Sequence, residues 1–451
     1  MIVVIGGGWA GCAAAVELAQ AGHAVELHEA AVALGGRARC VVRDGLPLDN
    51  GQHLLLGAYE QTLALASAVR TNGHSPWTIE PLALRPFGRR QKNRLSLSTR
   101  FLPAAIALPT ALAAAHGVTL RERFALMRWF RRRQREGWRL QRDTSVDELT
   151  TQVPQPVREQ LFHPLCVAAL NTPPARASAK MFLAVLGATL GAGAHATSIV
   201  LPREGLGEAV PEAAARWLSA RGHLVRRSTR TRIRDLPADG VLLETSGQTN
   251  RADAVVVAVG PHQLASTLAP QLSSAHPPIA AALGLVTRFD YEPIATAYLG
   301  YDAPLALPRG LLRLDDAPGQ WIFDRADVLD RAAASDTRAR MRALVAVVIS
   351  ARGPHTSLDH PALARAVDAQ LRAITLSLPK LVWSRVIEEK RATYSCVPDL
   401  SRPASGRLAD RVYLAGDYTC AALPATLEAA VRSGREAARA LIADLSQTQR
   451  G

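Results

Sequence analysis

Ile2 to Ile5 form an unbroken apolar run, the length and texture of a buried parallel strand. The pattern then changes period. Gly6, Gly8 and Gly11 punctuate a turn, apolar positions recur at helical spacing from Cys12 to Gln20, Gly22 closes that helix, and Ala24 to His28 reads as a second strand. A similar sequence of signals returns near the far end. Val412 to Ala415 predicts another short strand, Gly416 and Asp417 follow it, and Ala425 to Leu441 predicts a helix whose small residues Ala429, Ala430 and Gly434 permit close backbone approach. Between the two ends, Ala254 to Val259 predicts a strand ending at Gly260 and Pro261, and Ala295 to Leu299 another. The greasiest segment, Phe101 to Leu120, is interrupted by Pro103, Pro109, His116 and Gly117, so it does not read as a membrane span. Directly after it, RERFALMRWFRRRQREGWRLQR interleaves arginine with Phe124, Leu126, Met127, Trp129, Phe130 and Trp138. That pattern suits a helix lying on a bilayer, or one of a pair of helices capping a pocket with its arginines solvated.

At 451 residues and 48% hydrophobic content, the chain can build two interleaved domains around sizeable cores. Its net charge of +14 favours anionic surfaces such as a membrane, although arginines dispersed along the whole chain also fit a codon bias. No nucleic-acid motif accompanies the charge, so no nucleic-acid partner is expected. Cys12, Cys40, Cys166, Cys396 and Cys420 are odd in number and lack CxxC spacing, which predicts a reduced, cytoplasmic protein with no disulfide framework and no metal site. The apolar N-terminus has no basic start, so it is not read as a signal peptide.

The first thirty residues carry the most specific chemistry. A strand, a GxGxxG turn, a helix and a second strand delivering Glu29 arrive in order. Glycines let a pyrophosphate approach the backbone at the helix's positive end, and the acid can hold ribose hydroxyls while excluding a 2′-phosphate. LGGRAR follows at Leu34 to Arg39, where Gly36 and Arg37 can reach phosphate or a cofactor's ring edge. A nicotinamide enzyme has no need to return to its cofactor with its last forty residues.

These two ends together resemble the amine-oxidase and carotenoid-desaturase superfamily of FAD enzymes. The resemblance implies an α/β fold: a Rossmann-like, amine-oxidase-type FAD-binding domain with an inserted α+β substrate domain. The cofactor domain is expected over residues 1–70, 200–290 and 385–451, and the substrate domain over 71–199, helical, and 291–384. It also implies that Gly416 and Asp417 return to the ribityl and pyrophosphate, that the helix beginning near Leu427 points its N-terminus at the ring, that the His223–Leu236 stretch with Thr231 lies against adenine, and that Gly260 ends the return strand.

Further stretches resemble one branch, the squalene-associated FAD enzymes that reduce hydroxysqualene to squalene: LDNGQHLLLGAY at Leu48, PLCVAALNTPPARASAKMFLAVL at Pro164, YEPIATAYL at Tyr291, QWIFDR at Gln320 and KRATYS before the final strand. Arg203-Glu204-Gly205 departs from the paired glycines common in the superfamily. By this resemblance Asp49, Gly51 and Gln52 lie along the flavin's polar edge and Leu54 to Leu56 face a hydrocarbon. The chemistry needs protonation of a leaving hydroxyl, hydride from reduced flavin to the carbocation, and exclusion of water. His53 is the candidate proton donor, Asn171 with Thr172 would position the hydroxyl, and Tyr394 would form a cavity wall. The implied partners are a hydrophobic triterpenoid, the inner face of the cell membrane and an unidentified electron donor. Competing readings are a polyene desaturase and a non-catalytic prenyl-lipid carrier. An amine oxidase fits less well, since its aromatic cage sits poorly with an aromatic content of 5%.

Overall fold

The computed structural model describes residues 1–70, 73–88, 94–99, 110–190 and 195–448. The Phe101–Pro109 part of the broken apolar segment lies outside them.

Ile2–Ile5 sits at the centre of a six-stranded sheet in the order Leu224–Arg226, Val25–His28, Ile2–Ile5, Ala254–Val257, Val412–Leu414, Gly406–Ala409. The first five strands are parallel, and the Gly406–Ala409 edge is antiparallel. Strand alternation divides the side chains between two cores. Ile2 and Val4 pack with the helices Trp9–Gln20, Pro211–Ser219 and Leu427–Thr448, whereas Val3 and Ile5 join the core that takes Ile233, Val241 and Leu243 of a three-stranded antiparallel sheet. The layers are therefore helix, parallel sheet and antiparallel sheet.

The second unit is built on a seven-stranded sheet in the order Leu381–Tyr394, Tyr291–Tyr301, Ala343–Ser350, Trp321–Asp324, Leu311–Arg313, Ala83–Pro86, Leu97–Ser98. Ala297 and Leu299 face the helix His360–Ile374, while Tyr298 between them faces Leu46 and Leu48. Two expectations change here. The segment expected to be helical contributes the last two strands of this sheet, Ala83–Pro86 and, at its edge, Leu97–Ser98, too short to establish a period in sequence. Leu381–Tyr394 is one continuous strand of this sheet, so the chain leaves it after Tyr394 and not at 385. Among the described residues no helix is long and apolar enough to cross a membrane.

Candidate functional site

The N-terminal glycines have separate physical jobs. Gly6 has φ +107°, and a Cβ there would stand 2.6 Å from the Ala258 carbonyl oxygen; one on Gly11 would stand 1.8 Å from the Gly6 oxygen. Both glycines are required by the chain's own packing. A Cβ on Gly8 would meet nothing within 4 Å, so no protein atom requires glycine there and the turn is open on that side. The second glycine turn closes beside it, since a Cβ on Gly36 would lie 3.5 Å from the Gly8 Cα. Glu29, one residue past the Val25–His28 strand, accepts hydrogen bonds from the backbone N–H groups of Gly7 and Ala31, both at 2.7 Å. Its carboxylate is thereby held beside the turn.

The C-terminal segment returns to this place. Arg37 and Asp417, 380 positions apart, form an ion pair at 2.6 Å, and Arg37 also donates to the Ala392 carbonyl at 2.8 Å. Burial by itself would make the Arg37 guanidinium easier to deprotonate, but the Asp417 carboxylate outweighs it and raises the pKa. The Gly416 N–H donates to Ser433 Oγ at 3.0 Å, which pins the strand end to the final helix. That helix starts at Leu427 and crosses the first helix so closely that a Cβ on Gly434 would lie 2.1 Å from the Ala10 oxygen. Its first turn carries Glu428, buried and accepting from Thr62 N–H at 2.9 Å and Thr62 Oγ1 at 2.8 Å. Gly260 lies three residues beyond the Ala254–Val257 strand. The Thr231 hydroxyl is occupied by His28 Nδ1 at 2.8 Å and Thr245 Oγ1 at 3.2 Å.

The Asp49–His53 segment is anchored from below. Asp49 is fully buried; one carboxylate oxygen accepts from the Leu206 N–H at 2.8 Å and the other pairs with Arg325 at 3.1 Å. Arg325 also donates to Gln52 Oε1 and to Asp327, and Tyr298 donates its hydroxyl to the Asp49 carbonyl at 2.9 Å. The Asp49 carboxylate and the Gln52 amide oxygen are thus engaged by the protein itself, through Arg325 and the Leu206 N–H. Arg325 was not foreseen as a site residue. Its partner lies 276 positions away, and only the cost of burying an unpaired guanidinium hints that a carboxylate must exist.

His53 donates Nδ1–H to the Gly51 carbonyl at 2.7 Å, which leaves Nε2 as its free end. Burial lowers its pKa below 6.5, against the smaller raising effects of the Gly51 carbonyl and the Asp49 charge. The three leucines do not act together. Leu55 pairs with Val200 and is fully buried in the helical core, so only Leu54 and Leu56, on the opposite face of the strand, retain partial exposure.

Two expected substrate residues prove to be committed to the fold. Asn171, at φ +47°, ends the helix His163–Leu170; its Nδ2 donates to Thr393 Oγ1 at 3.0 Å and to the Glu292 and Pro293 carbonyls, and its Oδ1 accepts from Ala351 N–H at 2.7 Å. The amide nitrogen and one lone pair of the amide oxygen are thus engaged by the protein itself. Thr172 beside it is fully buried and donates to the Leu170 carbonyl at 3.0 Å. Tyr394 is buried with its ring 5.3 Å from Phe289 and its hydroxyl bonded to Arg402, a core position and not a wall. A nearby cavity of 280 Å³, lined by Met181, Val397 and Leu400 together with Asp143, Lys180 and Arg402, is small for a triterpenoid.

The model of the flavin containing amine oxidoreductases matches residues 9–442. The chain belongs to that family. It is therefore a flavin-dependent oxidoreductase, and the family's flavin fits the residues present: an open Gly8 at a helix N-terminus and a fixed carboxylate at Glu29. A hydroxysqualene dehydroxylase of Rhodopseudomonas palustris is 30% identical over 98% of both chains, and one of Sinorhizobium fredii is 27% identical over 96% of both. A zeta-carotene desaturase of Synechocystis is 25% identical over 99% of this chain and 98% of its own. Among solved structures, an oxidoreductase of Methanosarcina mazei superposes with a TM-score of 0.71 at 15% identity, covering 98% of this chain and 99% of that one. A putrescine oxidase triple mutant gives 0.69 at 15% identity over 98% of both. These two likenesses speak for the flavoenzyme fold of the family.

Proposed function

We propose that the chain binds FAD and reductively removes the hydroxyl of hydroxysqualene to give squalene. The observation that carries this reading is similarity along 98% of both chains to a hydroxysqualene dehydroxylase, in a protein whose nucleotide turn is intact. FAD, as distinct from a flavin mononucleotide, is favoured by Glu29, because only the adenosine half carries a ribose for that carboxylate to hold. Gly8 and the N-terminus of Trp9–Gln20 would receive the pyrophosphate, and the N-terminus at Leu427 and the Gly416–Asp417 turn would hold the rest.

When bound and reduced, FAD supplies hydride to the carbon that loses its hydroxyl. The chain's own task is the proton: the hydroxyl departs as water only when its oxygen is protonated. His53 can deliver that proton from Nε2, since Nδ1 is held by Gly51 and burial makes the imidazolium a stronger acid than in water. Leu54 and Leu56 give the neighbouring surface the apolar character that keeps water from the cation. Turnover requires a separate two-electron reductant.

The test is incubation of anaerobic, photoreduced protein with hydroxysqualene, with squalene detected by mass spectrometry and the cofactor identified by chromatography after heat release. Squalene together with released FAD supports the proposal. The desaturase relative motivates the contrary outcome, in which only oxidised protein acts and a polyene gains double bonds.

A further inference from the structure

The helix Leu120–Arg135 keeps both apolar and cationic groups on its outer face. Thr119 opens it with a capping box: Thr119 Oγ1 accepts from the Glu122 N–H, and the Glu122 carboxylate accepts from the Thr119 N–H at 2.7 Å. Leu126, Trp129 and Phe130 are buried, with the Trp129 ring 4.7 Å from Phe162 and 5.1 Å from Phe130. This aromatic packing sets the rotation of the helix about its axis. On the opposite side, Leu120 is 71% exposed and Phe124 is 68% exposed, one turn apart.

At about 100° per residue, Arg121, Arg128, Arg131 and Arg135 fall on the same outward arc. All four are exposed, and none has a carboxylate partner among the described residues; Glu136 is taken by Arg132 and Arg133. The helix's single acid, Glu122, is engaged in the cap. The arc is therefore uncompensated positive charge around two large apolar side chains, over a length of roughly 22 Å. Phosphates of a nucleic acid would match the arginines and leave Leu120 and Phe124 in water. An anionic bilayer matches both, because apolar groups enter the boundary between headgroups and acyl chains while arginines stay among the phosphates.

We propose that this arc seats the protein on an anionic phospholipid bilayer, with Leu120 and Phe124 inserted and Arg121, Arg128, Arg131 and Arg135 at headgroup level. The proposal does not depend on the reaction above, since its readout is partition.

Flavin-loaded full-length protein is sedimented with phosphatidylglycerol–phosphatidylcholine vesicles and with pure phosphatidylcholine vesicles at physiological salt. Strong pelleting with the anionic vesicles alone is expected, weakening as salt rises. Arg128→Gln/Arg131→Gln should lower partition about 25-fold, roughly fivefold for each arginine. Phe124→Ser should lower it independently. A control pair on other exposed positions, Arg309→Gln/Arg340→Gln, removes the same net charge and should retain most binding. All variants alter exposed side chains, so unchanged melting and flavin content verify their folding. Failure of the native protein to pellet, equal losses from the helix pair and the control pair, or binding to duplex DNA without binding to vesicles would each overturn the proposal.

Discussion

Replacing Arg325 by methionine removes the guanidinium beneath the Asp49–His53 segment while keeping a long apolar stem. The Arg325 and Asp49 side chains are 4% and 0% exposed and 3.1 Å apart. Breaking a buried pair from one side costs about 3–5 kcal/mol, because the surviving charge stays desolvated. Here the cost should lie near the lower end, about 3 kcal/mol, since Asp49 keeps the Leu206 N–H and Asp327 keeps Arg331 at 2.8 Å. Asp49→Asn leaves Arg325 with Asp327, and should cost about 2 kcal/mol. The double variant removes both charges, so its loss should be smaller than the sum of the single losses by about 1–3 kcal/mol. Urea unfolding at neutral pH, followed by far-ultraviolet circular dichroism and tryptophan fluorescence with coincident transitions, measures all three. Arg325→Met within about 1 kcal/mol of the native protein, or losses additive to within about 0.5 kcal/mol, would refute the reasoning. Folded Arg325→Met protein should also lose kcat with little change in flavin content, since the anchor supports His53 and not the nucleotide turn.

Three other outcomes follow from single positions. Gly8→Val should fold with native-like thermal stability yet purify without flavin, whereas Gly11→Ala, whose Cβ would strike the Gly6 oxygen at 1.8 Å, should be strongly destabilised; equal flavin content in Gly8→Val and native protein would contradict the assignment. With His53 as the acid, its protonated form is the active one and its pKa lies below 6.5, so the single-turnover rate should rise about tenfold per unit as pH falls and level off only below that value. His53→Ala should abolish that dependence, and a flat native profile between neutral and acidic pH would remove His53 from the role. Gly434→Val forces a side chain into the Ala10 carbonyl and should cost more than about 2 kcal/mol by overpacking, measurable in the same urea experiment.

What could be read from the sequence followed the distance over which its signals act. The strand, turn, helix and acid of the first thirty residues are contiguous, and their periods and glycines point to one structure. The Gly416–Asp417 return was legible through resemblance, because nothing local announces that Asp417 meets Arg37. The short strands Ala83–Pro86 and Leu97–Ser98 were missed, since four and two residues carry no usable alternation. The polar cluster before the leucines was recognised as unusual, but the partner of its side chains was not legible. Asp49 and Gln52 answer a buried arginine that the chain supplies far downstream. Asn171 misled for a related reason: a polar residue after an apolar helix can serve a ligand or three strands, and sequence does not show which carbonyls fold back on it.

The central claim is that reduced flavin in this protein is consumed by loss of a hydroxyl from a triterpenoid alcohol. Its most direct test is an anaerobic single turnover in which flavin reoxidation is followed by absorbance and squalene is quantified in the same sample. The account predicts one squalene per flavin reoxidised, with both rates equal and both slowed together in His53→Ala. Flavin that stays reduced in the presence of hydroxysqualene, or that reoxidises without squalene, would contradict it.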